Sequence, residues 1–240
     1  MPNAPTRPGP KATGTPEAVY GGYGAGWDAG PAGAPLARLA KETLFLARLL
    51  AELCPGEPEA HGLVALIQFC EARTRARRDG SGIFVPLEEQ DTGLWDIPLL
   101  RAAEDALTKA LRLGRPGRFQ IEAAIQSAHV AGRFAGVTDW RAIRQLHDGL
   151  ARLHPTAGAL VARAAAIGEA DGPAEGLAAL DALAEDCAHY QPWWAVAAHL
   201  KVKAGRMAEA AAAFDRAAGL AADPGIRAWL LQKARQAACG

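Results

Sequence analysis

Serine is almost missing from these 240 residues: Ser81 and Ser127 are the only two. Neither stands in a G-x-S-x-G elbow, which argues against a serine hydrolase. Cysteine is scarce as well. Cys54, Cys70, Cys187 and Cys239 are widely spaced and form no C-x-x-C pair, so neither a disulfide framework nor a thiolate zinc site is expected, and a reducing cytoplasm fits. An excess of one charge is also lacking. Lysine plus arginine and aspartate plus glutamate each total 26, whereas domains that live on phosphate contacts are usually basic; no direct DNA binding by this chain is expected. No apolar run reaches membrane-spanning length, and "MPNAPTRPGPKATG" lacks the apolar centre of a signal peptide. The expectation is a cytoplasmic, soluble protein.

Strand signals are nearly absent too. "GIFVPL", after the Asp79-Gly80 turn, is the one piece that reads as extended. What remains is helical. Half the residues are apolar and alanine supplies roughly a quarter of the chain, a composition suited to close-packed helices. Residues 1–14 are rich in proline and glycine and read as a flexible arm. Thr15, Pro16 and Glu17 then suit the first turn of a helix, in which Tyr20, Tyr23 and Trp27 recur at helical spacing among weakening glycines.

Apolar stripes follow one another with short breaks between them. They run through Leu36, Leu39, Ala40, Ala47, Leu50 and Leu53; Leu63, Leu66, Ile67 and Cys70; and Leu100, Ala103, Leu107, Ala110 and Leu111. Two more comprise Ile121, Ala124, Ile125 and Ala128, and Ile143, Leu146, His147, Leu150 and Leu153. His147 on its stripe reads as a hydrogen-bonded core histidine.

The C-terminal third adds a repeat. Gly172 and Gly205 stand about 33 residues apart, near the period of tetratricopeptide helix pairs. With Gly205 at an inter-helix turn, Trp194 takes the early aromatic position of the first helix. Ala210, Phe214 and Ala217 form the small–aromatic–small face of the second. The preceding unit is more degenerate, with Leu177 and Asp181 at the small and aromatic positions. The predicted fold is therefore all-α: stacked helical hairpins in a tetratricopeptide-like α-solenoid over 15–240, with a possible subdivision near 115 and the clearest repeats at 157–224.

Catalytic and cofactor signatures are sparse. The six histidines include no H-E-x-x-H motif. "GGYGAG" follows no strand, and "RRDGSG" lacks the downstream acids of a calcium loop. No metal, cofactor or catalytic residue is predicted. The densest polar feature is "FVPLEEQDTGLWD", residues 84–96. It reads as a solvated acidic loop whose Asp91 or Thr92 caps the next helix, as a carboxylate pair, or as a docking surface anchored on tryptophan. An intramolecular version, with Arg73, Arg75, Arg77 and Arg78 folded back on Glu88, Glu89 and Asp91, stays open beside these. As a docking surface, it should tolerate loss of Gln90 and Asp91 with little effect on folding.

The order of segments resembles the tetratricopeptide-like C-terminal extension of one group of extracytoplasmic-function RNA polymerase sigma factors. The resemblance runs over roughly 18–238, through "LARLLAELCPGEPEAHGLVALIQFCEARTRARRDGSGIFVPLEEQDTGLWD", "ALRLGRPGRFQIEAAIQSAH", "TDW" and "DGPAEGLAALDAL". Its most specific element is L-x-x-Q-D-R-x-x-W-D, matched by Leu87, Gln90, Asp91, Trp95 and Asp96, with Thr92 where the family has arginine. The family's Y-L-x-F-N-E-G-Y segment corresponds to "VYGGYGAGW", which keeps Tyr20 and Tyr23 but loses the Asn-Glu pair.

The resemblance implies a non-catalytic regulatory domain whose partners are the sigma DNA-binding domains, in cis or in trans, and the RNA polymerase core. Tyr20, Tyr23, Trp27, Leu87, Glu89, Gln90, Asp91, Trp95 and Asp96 would form the contact surface. Nothing before residue 15 reads as a promoter-melting or helix-turn-helix domain, so the expectation is either an excised fragment or a free-standing relative of the extension. The alternative is a free-standing adaptor that binds a peptide or protein in its concave groove.

Overall fold

The computed structural model describes residues 16–21 and 33–240, with side chains in the second stretch from residue 41 onward. The first stretch is helical (α1). It is followed by α2 (Gly33–Leu53), α3 (Pro58–Glu71), α4 (Ile97–Arg112), α5 (Arg118–Ala135), α6 (Trp140–Leu153), α7 (Ala157–Ala170), α8 (Pro173–Asp181), the single turn α9 (Ala184–Cys187), α10 (Gln191–Lys203), α11 (Met207–Leu220) and α12 (Pro224–Ala238). Each long helix packs on its neighbours in sequence, the arrangement of an α-solenoid. The only β-pairing among the described residues is one isolated bridge, Arg78 to Phe84, where an extended piece is predicted. No described helix is long and apolar enough to cross a membrane.

α3 is the hub of the N-terminal half. Residues 60–69 are buried all round because α2, α4 and α5 pack on different sides of them, and a helix enclosed in this way needs no polar face. Its first turn is tied to that of α5. The Glu59 carboxylate accepts from the Phe119 and Gln120 backbone N–H groups at 2.9 and 3.2 Å, a cap supplied 60 residues away in place of the one Gly117 lacks. Asp96, Asp139, Thr156 and Asp223 cap α4, α6, α7 and α12.

The side chains of Leu36, Leu39 and Ala40 lie outside the described set. Of the other stripe residues most are buried or half-buried, but Leu53, Leu111 and Leu153 are exposed. Each lies in the last turn of its helix, at an end where the chain turns away. In the repeat region α7–α8 and α10–α11 form the two predicted pairs, with Gly172 and Gly205 at their turns in positive φ. Ala210, Phe214 and Ala217 are buried as expected. Trp194 is half-buried, and its neighbour Trp193 is the deeper ring, donating Nε1–H to the Leu180 carbonyl at 3.0 Å.

The α7–α8 pair meets at two glycines. A Cβ on Gly176 would lie 2.6 Å from the Gly168 Cα, 2.8 Å from Leu200 and 2.9 Å from the Ala164 carbonyl. Two of these neighbours are backbone, so the helices would have to separate. Gly176→Ala is therefore expected to lower stability by about 1–3 kcal/mol despite alanine's better helix propensity, read as a lowered urea midpoint.

Candidate functional site

The 87–96 segment folds as two consecutive 3-10 turns, Leu87–Glu89 and Thr92–Leu94. Its polar residues mostly serve the fold. Gln90 is buried; its Nε2 donates to the Val85 carbonyl at 3.1 Å, and its own carbonyl accepts from Arg133 Nη2 at 2.9 Å. Asp91 accepts from the Gly93 N–H at 2.8 Å, within its own turn. Asp96 caps α4 through the Leu99 N–H at 2.9 Å, while its backbone N–H donates to Ala72 at the end of α3. Trp95, 4% exposed, stands edge-on to Phe134 with ring centroids 5.6 Å apart. Gln90 Oε1 and Trp95 Nε1 are buried without a protein partner.

The accessible surface of the segment is therefore mostly acidic: Glu88, Glu89, Asp91 and Asp96 are exposed together with Leu94, Leu87 is half-buried, and Gln90 and Trp95 face inward. Burial of a hydrogen-bonded Gln90 also changes the folding expectation, because its loss orphans the Val85 carbonyl. Two of the nearby arginines pair elsewhere. Arg73 donates to the Phe69 carbonyl and Gln126 Oε1, and Arg78 reaches Asp223, the N-cap of α12. Tyr20 packs 5.3 Å from the Phe119 ring, with the Arg118 guanidinium 5.0 Å from its centroid. Tyr23 and Trp27 lie outside the described residues.

Residues 77–90 form a strap between the two ends of the stack. A hairpin-like turn shapes it: Val85 N–H donates to Arg77 at 2.8 Å and Asp79 N–H to Ile83 at 3.0 Å. The strap lies against α12. Arg78 Nη2 contacts Asp223 Oδ2 at 2.7 Å, Phe84 N–H donates to Gly225 at 3.3 Å, Phe84 meets Trp229 edge-on at 5.6 Å, and Glu89 accepts from Lys233 Nζ at 2.9 Å. Burial pushes the Asp223 carboxyl up, but Arg78 and the Ile226 N–H outweigh it and hold the carboxyl below its usual range. Gly225 makes the approach possible, since a Cβ there would sit 2.3 Å from Arg78 Nη1 and 2.4 Å from the Gly82 carbonyl.

Beside the strap lies a cavity of about 860 Å³, walled by strap residues and by α6, α7, α10, α11 and α12. Trp140, Phe214 and Trp229 supply its aromatic surface. At one side the Glu169 carboxylate takes Lys203 Nζ at 2.6 Å and lies 2.7 Å from His199 Nε2. Burial raises the Glu169 carboxyl, and these two partners bring it below its usual range.

A further surface lies on α2. Thr43, Ala47 and Ala51 face the core, while Phe45 (66% exposed), Leu46 (49%), Leu49 (38%) and Leu53 (72%) face out. Residues 45, 49 and 53 are successive turns of one face. The stripe reading put Leu53 on the buried side and missed Phe45, Leu46 and Leu49; the signal for these three is the run "TLFLARLL", too apolar for a helix with one buried side.

A family of unknown function, DUF6596, matches residues 13–111, the part containing α2, α3 and the strap. "Uncharacterized protein R00370" of Rhizobium meliloti (strain 1021) is 38% identical over 214 residues, which are 88% of this chain and 50% of that protein. This chain thus spans about half the length of that relative. Among solved structures, YrrB, described as a TPR protein with an unusual peptide-binding site, superposes with a TM-score of 0.50 at 12% identity, covering 83% of this chain and 85% of that one. The fold is a tetratricopeptide-like helical solenoid, the class predicted.

Proposed function

We propose that residues 15–240 form a regulatory, non-catalytic protein-interaction domain of an alternative, extracytoplasmic-function-type RNA polymerase sigma factor. It modulates transcription initiation by contacting sigma domains or the polymerase core. The observation that carries the interaction reading is the outward face of α2. Four large apolar side chains exposed along one helix mark a contact site more than a solvated surface. The sigma assignment rests on the sequence resemblance over 18–238 and its L-x-x-Q-D-x-x-x-W-D element. Balanced charge supports a protein partner over DNA. The Gln90–Trp95 segment supports the fold from within, with Asp91 and Asp96 capping local turns and Glu89 paired to Lys233.

The test is retention of purified sigma domains and polymerase core by the immobilised chain. Wild type is expected to retain them. Phe45→Asp with Leu49→Asp should weaken retention at least tenfold while leaving the circular dichroism spectrum unchanged, because neither side chain lies in the core. A second reading, an adaptor that takes a peptide on its concave side, is favoured by the 860 Å³ cavity. No retention of either polymerase component would leave that reading in place of the first.

A further inference from the structure

The strap makes the kind of contacts with α12 that a bound peptide would make. Its hairpin bonds are internal, between Arg77 and Val85 and between Asp79 and Ile83, so swinging it away from α12 unpairs none of them. What it offers α12 is one aromatic edge, one carboxylate and one backbone N–H. Phe84 stands on Trp229, Glu89 on Lys233, and the Phe84 N–H on the Gly225 carbonyl. Trp229 and Lys233 are one helical turn apart, a rise of about 6 Å. Five extended residues would overshoot that distance, but Pro86 and the 3-10 turn Leu87–Glu89 shorten the reach. The ammonium of Lys233 also lies 5.7 Å from the Trp229 ring centroid, so ring and cation form one compound receptor.

We infer that the strap is a cis-bound stand-in for a partner segment. The partner is a peptide carrying an aromatic residue, a proline two positions later and a carboxylate five positions later, and it binds Trp229 and Lys233 once the strap has left. The chemistry of the occupant follows from the pairs present: an aromatic edge for the indole and a negative charge for the lysine. Because the strap is tethered, it competes at high effective concentration. Apparent affinity for a separate peptide is reduced by the fraction of molecules in which the strap is out. Arg78, which ties the strap to Asp223 and also donates to the strap's own Gly82 carbonyl at 3.0 Å, is the latch. This inference concerns the C-terminal end of the stack and holds or fails independently of the α2 interface.

The experiment titrates the full chain with a synthetic peptide of residues 82–90 (GIFVPLEEQ) and follows tryptophan fluorescence and calorimetric heat. Arg78→Ala is expected to bind the peptide at least tenfold more tightly than wild type. Phe84→Ala in the chain, which releases the strap without touching the ion pair, should have the same effect and serves if Arg78→Ala does not fold. Lys233→Glu in either released background should abolish binding, and a peptide with Glu89→Lys should restore it. Equal affinity of wild type and both released variants, no binding to a folded released variant, or no rescue by the charge swap would overturn the inference.

Discussion

Trp95→Ala is expected to lower the unfolding free energy by about 3–5 kcal/mol, the usual cost of truncating a buried aromatic. The ring is 4% exposed within the core built on α3, and it holds Phe134 at the end of α5 edge-on. Trp95→Phe should cost far less. It keeps most of the ring and removes the Nε1–H, which is buried without a protein partner. Urea denaturation of both variants reads the difference. A tryptophan serving as a surface anchor would show the opposite: both variants as stable as wild type, with binding lost. The same comparison places Asp91, whose alanine variant should cost about 1 kcal/mol or less as the loss of an exposed turn cap.

Acidification is expected to unfold the domain through two histidines. His129 and His147 pack between α5, α6 and their neighbours, and both are pushed down to about 4. For His129 the cause is burial first and the Arg73 charge second. For His147 it is burial and then His129, partly opposed by Asp148. The sequence places His147 correctly in the core, but its Nδ1 has no protein partner, so the hydrogen bond expected there is absent at that atom.

A folded-state pKa below the unfolded value near 6.5 means the neutral form is favoured in the native state. That stability is fully present above pH 6.5 and lost progressively as pH falls toward 4. A shift of this size is worth about 3 kcal/mol per group, comparable to a large share of a domain's total stability. The chain should take up about two protons on unfolding near pH 5, as given by the slope of stability against pH. His147→Phe is expected to remove about half of that slope. An unchanged slope would show that the histidines are not the groups responsible.

The helix pairs from 157 to 224 were the most legible part of the fold. A turn glycine and a small–aromatic–small face each restrict what a helix can pack against, and Ala210, Phe214 and Ala217 are all buried. The 84–96 segment was legible as a feature and not as a structure. Outside regular helix no periodicity tells which way a side chain points, so Gln90 and Trp95 could equally have faced solvent. Three hydrogen bonds settle it: the Gln90 amide to the Val85 carbonyl, the Arg133 guanidinium to the Gln90 carbonyl, and the Asp96 N–H to the Ala72 carbonyl. The strap's attachment to α12 was not legible at all. Arg78 and Asp223 are 145 residues apart, and Glu89 and Lys233 are 144 apart, and nothing local to either end announces the other. The outward face of α2 was not legible: the stripe placed Leu53 with Ala47 and Leu50, and Phe45, Leu46 and Leu49 had no assigned place.

The proposed interface is the outer face of α2, with the Gln90–Trp95 element as internal support. Amide hydrogen exchange of the chain, alone and with sigma domains and polymerase core, tests it most directly. Slowed exchange across 43–53 on adding partner, with 90–96 unchanged, is the predicted result. Protection confined to 86–96, or no change anywhere in the chain under saturating partner, would contradict it.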